Sequence, residues 1–214
     1  MSWSEIEEWS RDVADRVESY GPDLIIGLTR GGWVPARMLC DNLVEKNLCS
    51  IKTEHWGITA TREMSARLVQ ELNVDVKGKK VLVVDDITDT GMSMELALNH
   101  ILTRNPEKVN SATLLHIEGA RVTPDYYSVF VPKKEWAWFI FPWNVNEDLS
   151  SLILKTLYEV KNINGIREAL HNQFDIEVGV ERISRVLDKL ERGGRIKRDC
   201  EGPNRLFSSS APCL

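Results

Sequence analysis

One segment constrains this chain more than any other: a short apolar strand that leads directly into two acidic residues and a turn of Thr, Gly and Ser. It spans residues 81–94 and reads VLVVDDITDTGMSM. Its first four residues, all Val or Leu, predict a fully buried strand. In the turn behind that strand, backbone N–H groups can surround a phosphate, and Gly91 allows a close approach in a left-handed conformation. The helix that follows adds the positive end of its dipole.

The acidic pair, Asp85 and Asp86, cannot bind an anion directly, but carboxylates suit ribose hydroxyls and Mg²⁺. Hydroxyl donors to a phosphate follow at Thr88, Thr90 and Ser93. An ordinary surface turn is the alternative interpretation, although two carboxylates at the end of a buried strand are unfavourable without a partner. The segment contains neither the GxxxxGK[ST] nor the GxGxxG pattern of other nucleotide-binding loops.

Strands that alternate with helices predict an α/β fold with a parallel sheet, in which ligands lie beyond the carboxyl ends of the strands. Helical spacing is found at residues 4–20, where Ser4 and Glu7 form a capping box, and helices are also predicted from Pro35 to about Leu43 and over residues 93–102. The predicted strands are residues 23–28, 49–52, 81–84, 111–116, 126–131 and 136–141, and residues 55–74 are predicted as a long loop or hairpin.

With these residues in place, the chain resembles the type I phosphoribosyltransferases, whose signature is a hydrophobic strand, two acids and a D/A-T-G-x-[ST] loop. The resemblance implies that phosphoribosyl pyrophosphate (PRPP) binds here with Mg²⁺, which Asp86 contacts, while residues 89–93 surround the 5′-phosphate. The implied PRPP-binding residues are Arg30, Gly31, Asp85, Asp86, Ile87, Thr88, Asp89, Thr90, Gly91, Met92 and Ser93. A homodimer or a higher homo-oligomer is also implied.

Asp89 and Arg30 are the two implied catalytic residues. Family members that act on 6-oxopurines usually carry Asp at the position of Asp89, where it can accept the N7 proton of the purine as a general base. A turn residue that caps its own loop is the alternative for Asp89. Arg30, Gly31 and Gly32 follow the first strand and resemble the pyrophosphate loop of the xanthine-guanine group. By the same resemblance we expect a non-proline cis peptide bond at or beside Arg30.

The aromatic segment at residues 136–143, WAWFIFPW, resembles the W-x-x-x-P-W pattern that ends the base pocket of the same group. Trp138 fits that spacing best, with Phe139 next to it, and both are implied to bind the base. Trp136 fits after a shift of two, and an aromatic strand of the core is the alternative. A lysine that usually donates to the purine 6-oxo group is replaced by His116, which is either a base-binding residue or a buried core histidine. Asn144 stands where an acid often helps to recognise the exocyclic amino group, so the preferred purine stays open.

Two further regions stay open. Arg62 and Arg67 lie in the loop that covers the site in this family, and they are either pyrophosphate ligands or solvated charges. Residues 149–214 resemble a winged-helix module, with helices at 152–158, 163–172 and 180–191 and paired wing segments at 195–199 and 205–208. The domain prediction is therefore a transferase domain over 1–148 and this winged-helix-like domain over 149–214. Because acids offset the bases of the third helix, packing or oligomerisation is favoured over nucleic-acid binding, which stays possible.

Charge and composition restrict the function classes. Residues 1–149 hold 16 Lys and Arg against 23 Asp and Glu, whereas residues 150–214 hold 11 against 9. The larger, acidic part is thus a poor general nucleic-acid binder. No apolar run approaches a membrane span, and the acidic start lacks the features of a secretory signal, so we expect no membrane association and a cytoplasmic location. The resemblance favours a 6-oxopurine phosphoribosyltransferase of purine salvage; a PRPP- or purine-sensing transcriptional regulator is the alternative.

Overall fold

The computed structural model describes residues 1–56, 65–198 and 205–210, and it divides into two compact units. The first is Met1–Trp136 and the second is Ala137–Leu214. Each unit is built around a sheet of its own.

The first unit is a six-stranded sheet with helices, and it confirms the predicted α/β class. In chain order its elements are α1 (Trp3–Val17), a 3₁₀ turn (Glu18–Tyr20), β1 (Leu24–Thr29), α2 (Trp33–Asn42), β2 (Leu48–Trp56), β3 (Ser65–Gln70), β4 (Lys80–Thr88), α3 (Met92–Leu102), β5 (Lys108–Ile117), β6 (Tyr126–Val131) and a second 3₁₀ turn (Lys133–Glu135). The strand order is β3-β2-β1-β4-β5-β6. Every neighbouring pair is parallel except β2 and β3, which form an antiparallel hairpin.

Apolar runs explain why β1, β4 and β5 lie in the middle of this sheet. Their interior residues are buried, as expected for strands covered on both faces. One face packs on Met94, Ala97 and Ile101 of α3. Tyr20, in the turn after α1, bonds to the amino-terminal ends of β4 and β5. Its hydroxyl donates to the carbonyl oxygens of Val81 at 3.0 Å and Lys108 at 3.1 Å.

Three local predictions need correction. Helix α1 begins two residues earlier than predicted: Ser2 is the N-cap, and it forms the capping box with Glu5 rather than Ser4 with Glu7. Strand β4 does not end at the acidic pair but continues to Thr88. The segment at residues 136–141, predicted as extended, forms no strand in the part of the chain that the structure describes.

The second unit contains three helices and a small antiparallel sheet. Its elements are α4 (Val145–Thr156), β7 (Lys161–Asn162), α5 (Ile163–Phe174), α6 (Val180–Arg192), β8 (Ile196–Arg198) and β9 (Leu206–Ser209), and the strand order is β7-β9-β8. The helices enclose an apolar core, whose members include Leu149, Leu152, Ile166, Leu170, Ile183, Val186, Leu187 and Phe207. The predicted domain boundary after Asp148 falls inside α4, and the winged-helix likeness stays a prediction. No helix among the described residues is long and apolar enough to cross a membrane.

Candidate active site

Two turns meet at the carboxyl edge of the first sheet because β1 and β4 are parallel neighbours, with Gly27 paired to Val84. The turn after β1 packs directly on the acidic pair. A methyl group built on Gly31 would lie 2.2 Å from Oδ2 of Asp86, and one on Gly32 would lie 2.4 Å from the carbonyl oxygen of Val84. Only glycine fits at both positions without a shift of its neighbours.

The turn after β1 also contains the expected unusual peptide bond. The Thr29–Arg30 peptide is cis, which confirms the prediction of a non-proline cis bond at Arg30. The side-chain hydroxyl of Thr29 donates to the carbonyl oxygen of Ile51 at 3.1 Å, and the N–H of Gly32 donates to the carbonyl of Leu28 at 2.8 Å. The first bond holds the turn against β2, and the second joins the two ends of the turn around Arg30.

A cation that the sequence analysis missed lies beside this turn. Lys52 pairs with Thr29 in the register of β1 and β2, and its ammonium group is 2.5 Å from Glu54. The hydrogen bond and charge of Lys52 lower the pKa of the Glu54 carboxyl, with smaller contributions from Arg67 and Arg30. Three basic residues therefore act on one partly exposed carboxylate at this edge. Only the pairing of the two strands brings Lys52 here, so no local motif could have found it.

The acidic pair sits inside the end of β4 rather than in a turn. Asp86 is buried at 7% exposure, and its Oδ1 accepts a hydrogen bond from the N–H of Ile87 at 2.9 Å. Asp85 accepts one from the N–H of Asp86, also at 2.9 Å. Burial, and then the neighbouring Asp86 carboxylate, raise the pKa of Asp85 well above its usual range. Two crowded carboxylates of this kind are stabilised by a cation.

The loop behind β4 has the features of a phosphate site. It lines a cavity of about 310 Å³ formed by Asp85, Asp86, Ile87, Thr88, Asp89, Thr90, Gly91, Ser93 and Met94. Gly91 has φ +80°, and a methyl group there would lie 2.8 Å from the backbone nitrogen of Val122. The hydroxyl of Thr88 is buried and has no hydrogen-bond partner within the described residues. Helix α3 begins at Met92, so its N-terminal end faces the same loop.

A second and larger cavity adjoins the first. Its volume is about 620 Å³, and it is lined by Asp89, Thr90, Met92, Ile117, Glu118, Gly119, Arg121, Lys133 and Trp136. Asp89 and Thr90 line both cavities. The N–H of Arg121 donates to the carbonyl of Thr90 at 3.0 Å, which fixes the loop after β5 against the phosphate-site loop. Asp89 is exposed, and it lies between the smaller cavity of the phosphate-site loop and the larger cavity that Trp136 lines.

Of the predicted base-binding residues in the first unit, Asp89 lines this cavity and His116 does not. His116 is buried at 4% exposure within the sheet, where its ring lies 5.1 Å from that of Tyr127 and burial lowers its pKa. Trp138 and Phe139 belong to the second unit. Trp138 packs on the core of that unit, with the ammonium group of Lys155 4.5 Å from its ring centre.

Three more predicted residues have different outcomes. Arg67 is exposed on β3, opposite Glu54, whereas Arg62 lies outside the described residues. Asn144 precedes α4 in the second unit. The predicted PRPP-binding residues other than Arg30, Gly31 and Met92 all line the smaller cavity, together with Met94. Gly31 packs against Asp86, and Met92 lines the larger cavity.

Comparison with known proteins decides the family. The model of the phosphoribosyl transferase domain matches residues 2–148. The chain belongs to the phosphoribosyl transferase family. Xanthine-guanine phosphoribosyltransferase of Cereibacter sphaeroides is 28% identical over 150 residues, which are 68% of this chain and 86% of the relative. Hypoxanthine phosphoribosyltransferase of Haemophilus influenzae is 31% identical over 123 residues, or 56% of this chain and 63% of the relative.

The fold of this phosphoribosyl transferase agrees with solved structures. A purine phosphoribosyltransferase of Pyrococcus horikoshii superposes with a TM-score of 0.60 at 29% sequence identity, and the match covers 67% of this chain and 91% of that one. The family model covers residues 2–148, which include the sheet unit with its two loops. The expected type I core is therefore confirmed.

Proposed function

We propose that the chain transfers the phosphoribosyl group of PRPP to a 6-oxopurine, yielding a nucleoside monophosphate and pyrophosphate. One observation carries this proposal: Gly31 of the arginine turn lies directly against the carboxylate of Asp86, so a pyrophosphate site and a ribose site share one edge of the sheet. The named relatives are purine-converting enzymes, which favours a transferase over the PRPP-sensing regulator.

The residues present fit the Mg²⁺ that the family implies. Asp85 and Asp86 supply hard oxygen donors, and the raised pKa of Asp85 marks a place where negative charge lacks compensation. Mg²⁺ is commonly held by one or two carboxylates together with waters and substrate phosphates, and an acidic pair suits that arrangement. When bound with PRPP, the ion would supply positive charge to the pyrophosphate oxygens. Asp86 is the residue that we expect to hold it.

The chain's own residues account for the rest of the chemistry. The bond between C1 of the ribose and the pyrophosphate oxygen breaks, and its electron pair leaves with pyrophosphate beside Arg30. A new bond forms between C1 and N9 of the purine, and N7 loses its proton to Asp89. Asp89 suits this role because it lines both cavities and so faces the phosphate site and the adjoining space.

We expect the purine to bind in the larger cavity, against Trp136. Trp136 fits the aromatic pattern after a shift of two residues, and it lines the cavity together with Asp89, whereas Trp138 packs within the second unit. A flat purine gains contact area on such a ring. Lys133 lines the same cavity and is our candidate donor to the 6-oxo oxygen in place of His116, which is buried in the sheet.

The test is pyrophosphate release from PRPP and Mg²⁺ with guanine, hypoxanthine, xanthine, adenine and uracil as separate acceptors. We expect release with at least one 6-oxopurine and none with adenine or uracil. Asp89→Asn should lower kcat by about 10²-fold, within the usual range for a general base, and leave the KM for PRPP within a factor of about three. Release with uracil alone, or with no base, would refute the proposal.

A matched pair of variants tests the position of the base. Trp136→Ala should raise the KM for the base about tenfold, because stacking contributes about 0.5–1.5 kcal/mol beyond area burial. Trp138→Ala should leave that KM unchanged and instead lower the unfolding temperature of the second unit. The reverse pattern would return the stacking role to Trp138.

Two accompanying expectations also stay predictions. A homodimer is expected from the family resemblance and is tested by light scattering of the purified chain. A cytoplasmic location is expected from the sequence and is tested by cell fractionation.

A further inference from the structure

We propose that helix α6 carries a binding surface for the phosphate backbone of double-stranded DNA. Four basic residues form this surface, here called the basic stripe: Arg182, Arg185, Lys189 and Arg192. All four are exposed. At 3.6 residues per turn they fall within about 80° of the helix circumference. Positive charge is thus concentrated on one side of the helix, although the chain as a whole has a net charge of −5.

Counting charges along the sequence suggested that α6 is nearly neutral, and the structure explains why that count is misleading. Two of its three acids, Asp188 and Glu191, are ion-paired with Arg198 of β8, at 3.1 Å in the case of Asp188. The third acid, Glu181, pairs at 2.5 Å with Arg185, but both partners are highly exposed, so water screens that pair. Arg198 brings one positive charge to these two carboxylates. The four bases of α6 and Arg198 together exceed the three acids by two charges, and the four bases lie on the stripe.

The stripe also borders a cavity. This cavity has a volume of about 330 Å³ and is lined by Asn146, Arg182, Arg185, Asp188, Lys189 and Arg192. All four members of the stripe contribute to it, and Asn146 adds an amide that can donate to an oxygen. Such a lining suits an anion with several oxygens, as a phosphate has.

The dimensions favour a DNA duplex. Arg182 and Arg192 are separated by about 15 Å along the axis, a length over which each DNA strand presents about four phosphates. A helix of about 10–12 Å diameter fits the major groove of B-form DNA, which is about 12 Å wide. The deep and narrow major groove of double-stranded RNA does not admit such a helix.

A membrane surface is a poorer match to the same helix. An interfacial helix needs an exposed apolar face beside its basic face. The apolar residues Ile183, Val186, Leu187 and Leu190 of α6 are instead buried in the core of the second unit. Apart from Val180 at its first position, the exposed side of α6 is polar or charged, and such a surface fits the regular phosphates of a duplex better than it fits a lipid bilayer.

The experiment measures fluorescence anisotropy of a labelled 24-base-pair duplex of mixed sequence with the full-length chain, between 50 and 200 mM salt. We expect micromolar binding at the lowest salt and a linear fall of log K with log salt concentration. The double variant Arg182→Gln/Lys189→Gln should weaken binding at least tenfold at 50 mM salt and reduce the salt slope by about two. Glutamine keeps the helix propensity, so the fold should persist.

The matched control is Lys46→Gln/Lys77→Gln, which removes two exposed lysines of the first unit and changes the net charge equally. It should bind the duplex like the parent chain. Pyrophosphate release should be the same in all three proteins. The proposal is overturned if the parent does not bind the duplex at 50 mM salt, or if both double variants change its binding equally. Tighter binding to phosphatidylcholine vesicles with one quarter phosphatidylserine than to the duplex would overturn it as well.

Discussion

Replacing Gly31 with alanine should separate activity from stability in this transferase. The added methyl carbon would lie 2.2, 2.6 and 2.7 Å from Oδ2, Cγ and Oδ1 of Asp86. Since unstrained contacts between such atoms need about 3.5 Å, the carboxylate must move by about 1 Å. It stands at the end of a side chain that can rotate, so the backbone of β4 can stay in place. The move disturbs the hydrogen bond that Oδ1 accepts from the N–H of Ile87, so we expect the chain to fold with a loss of about 1 kcal/mol in its free energy of unfolding.

The activity should respond more strongly, because a displacement of about 1 Å in a positioning group can lower a rate by about 10²-fold. That factor corresponds to about 2.7 kcal/mol of lost transition-state stabilisation. Steady-state kinetics with varied PRPP should show the loss in kcat/KM. The control is Gly179→Ala, because Gly179 has φ −68° and a methyl group there meets nothing within 4 Å. If Gly31→Ala retains kcat/KM within threefold of the parent, the contact does not position Asp86 for catalysis.

Three more variants test the surroundings of the site. Gly32→Ala should lower the free energy of unfolding by about 1–3 kcal/mol in urea titrations, because its methyl carbon would lie 2.4 Å from a backbone oxygen that cannot rotate away. Asp85→Asn should abolish calorimetric binding of PRPP with Mg²⁺ yet stabilise the free chain. The raised pKa of Asp85 means that the folded state holds its proton more tightly than the unfolded state, so the parent loses stability as pH rises through that pKa. The advantage of Asp85→Asn in thermal melts should therefore be larger at pH 8 than at pH 4, and an advantage that shrinks with rising pH would contradict this sign. Tyr20→Phe removes the donor to one buried and one partly buried backbone carbonyl and should cost about 1–2 kcal/mol, whereas Tyr158→Phe at an exposed position of the second unit should cost almost nothing.

Periodic patterns predicted the core of the fold well because burial controls them. The central strands β1, β4 and β5 appear in the sequence as apolar runs, and the apolar spacing of α6 placed that helix within one residue of its observed bounds. The position of the N-cap could not be derived in the same way. Ser2 with Glu5 and Ser4 with Glu7 satisfy the same capping rule, and both precede the same apolar spacing. Only the observed start of α1 at Trp3 distinguishes them.

The end of β4 shows a different limit. Acidic residues after an apolar run usually mark the end of a strand, since charges avoid burial. Here the main chain continues to pair with β5 as far as Thr88 opposite His116. His116 is buried because it lies between two strands, paired with Thr88 of β4 and Phe130 of β6, and its ring packs against Tyr127. Matching His116 to the position of the family's lysine does not by itself show which face of the sheet its side chain occupies.

The sequence could not show which tryptophan stacks on the base. Trp138 fits the W-x-x-x-P-W pattern directly, and Trp136 fits it after a shift of two residues. Which ring stands beside Asp89 depends on the path of the chain after β6, where a 3₁₀ turn over Lys133–Glu135 precedes Trp136. Lys52 was missed for a similar reason, since its neighbour Thr29 lies far away in sequence. Residues that meet only through sheet pairing or loop path leave no local signal.

Several unfavourable features of the first unit are concentrated at its two loops, and one kind of ligand would relieve them together. Asp85 has a raised pKa beside Asp86, and the buried hydroxyl of Thr88 has no partner among the described groups. A sugar phosphate bound with a divalent cation offers positive charge to the carboxylates and an oxygen to the hydroxyl. If this loop served only to stabilise the fold, apolar residues in place of Asp85, Asp86 and Thr88 would stabilise the strand end more. A ligand therefore explains these polar groups better than folding does. Without that ligand the groups lower the stability of the chain, so the complex is more stable than the free chain.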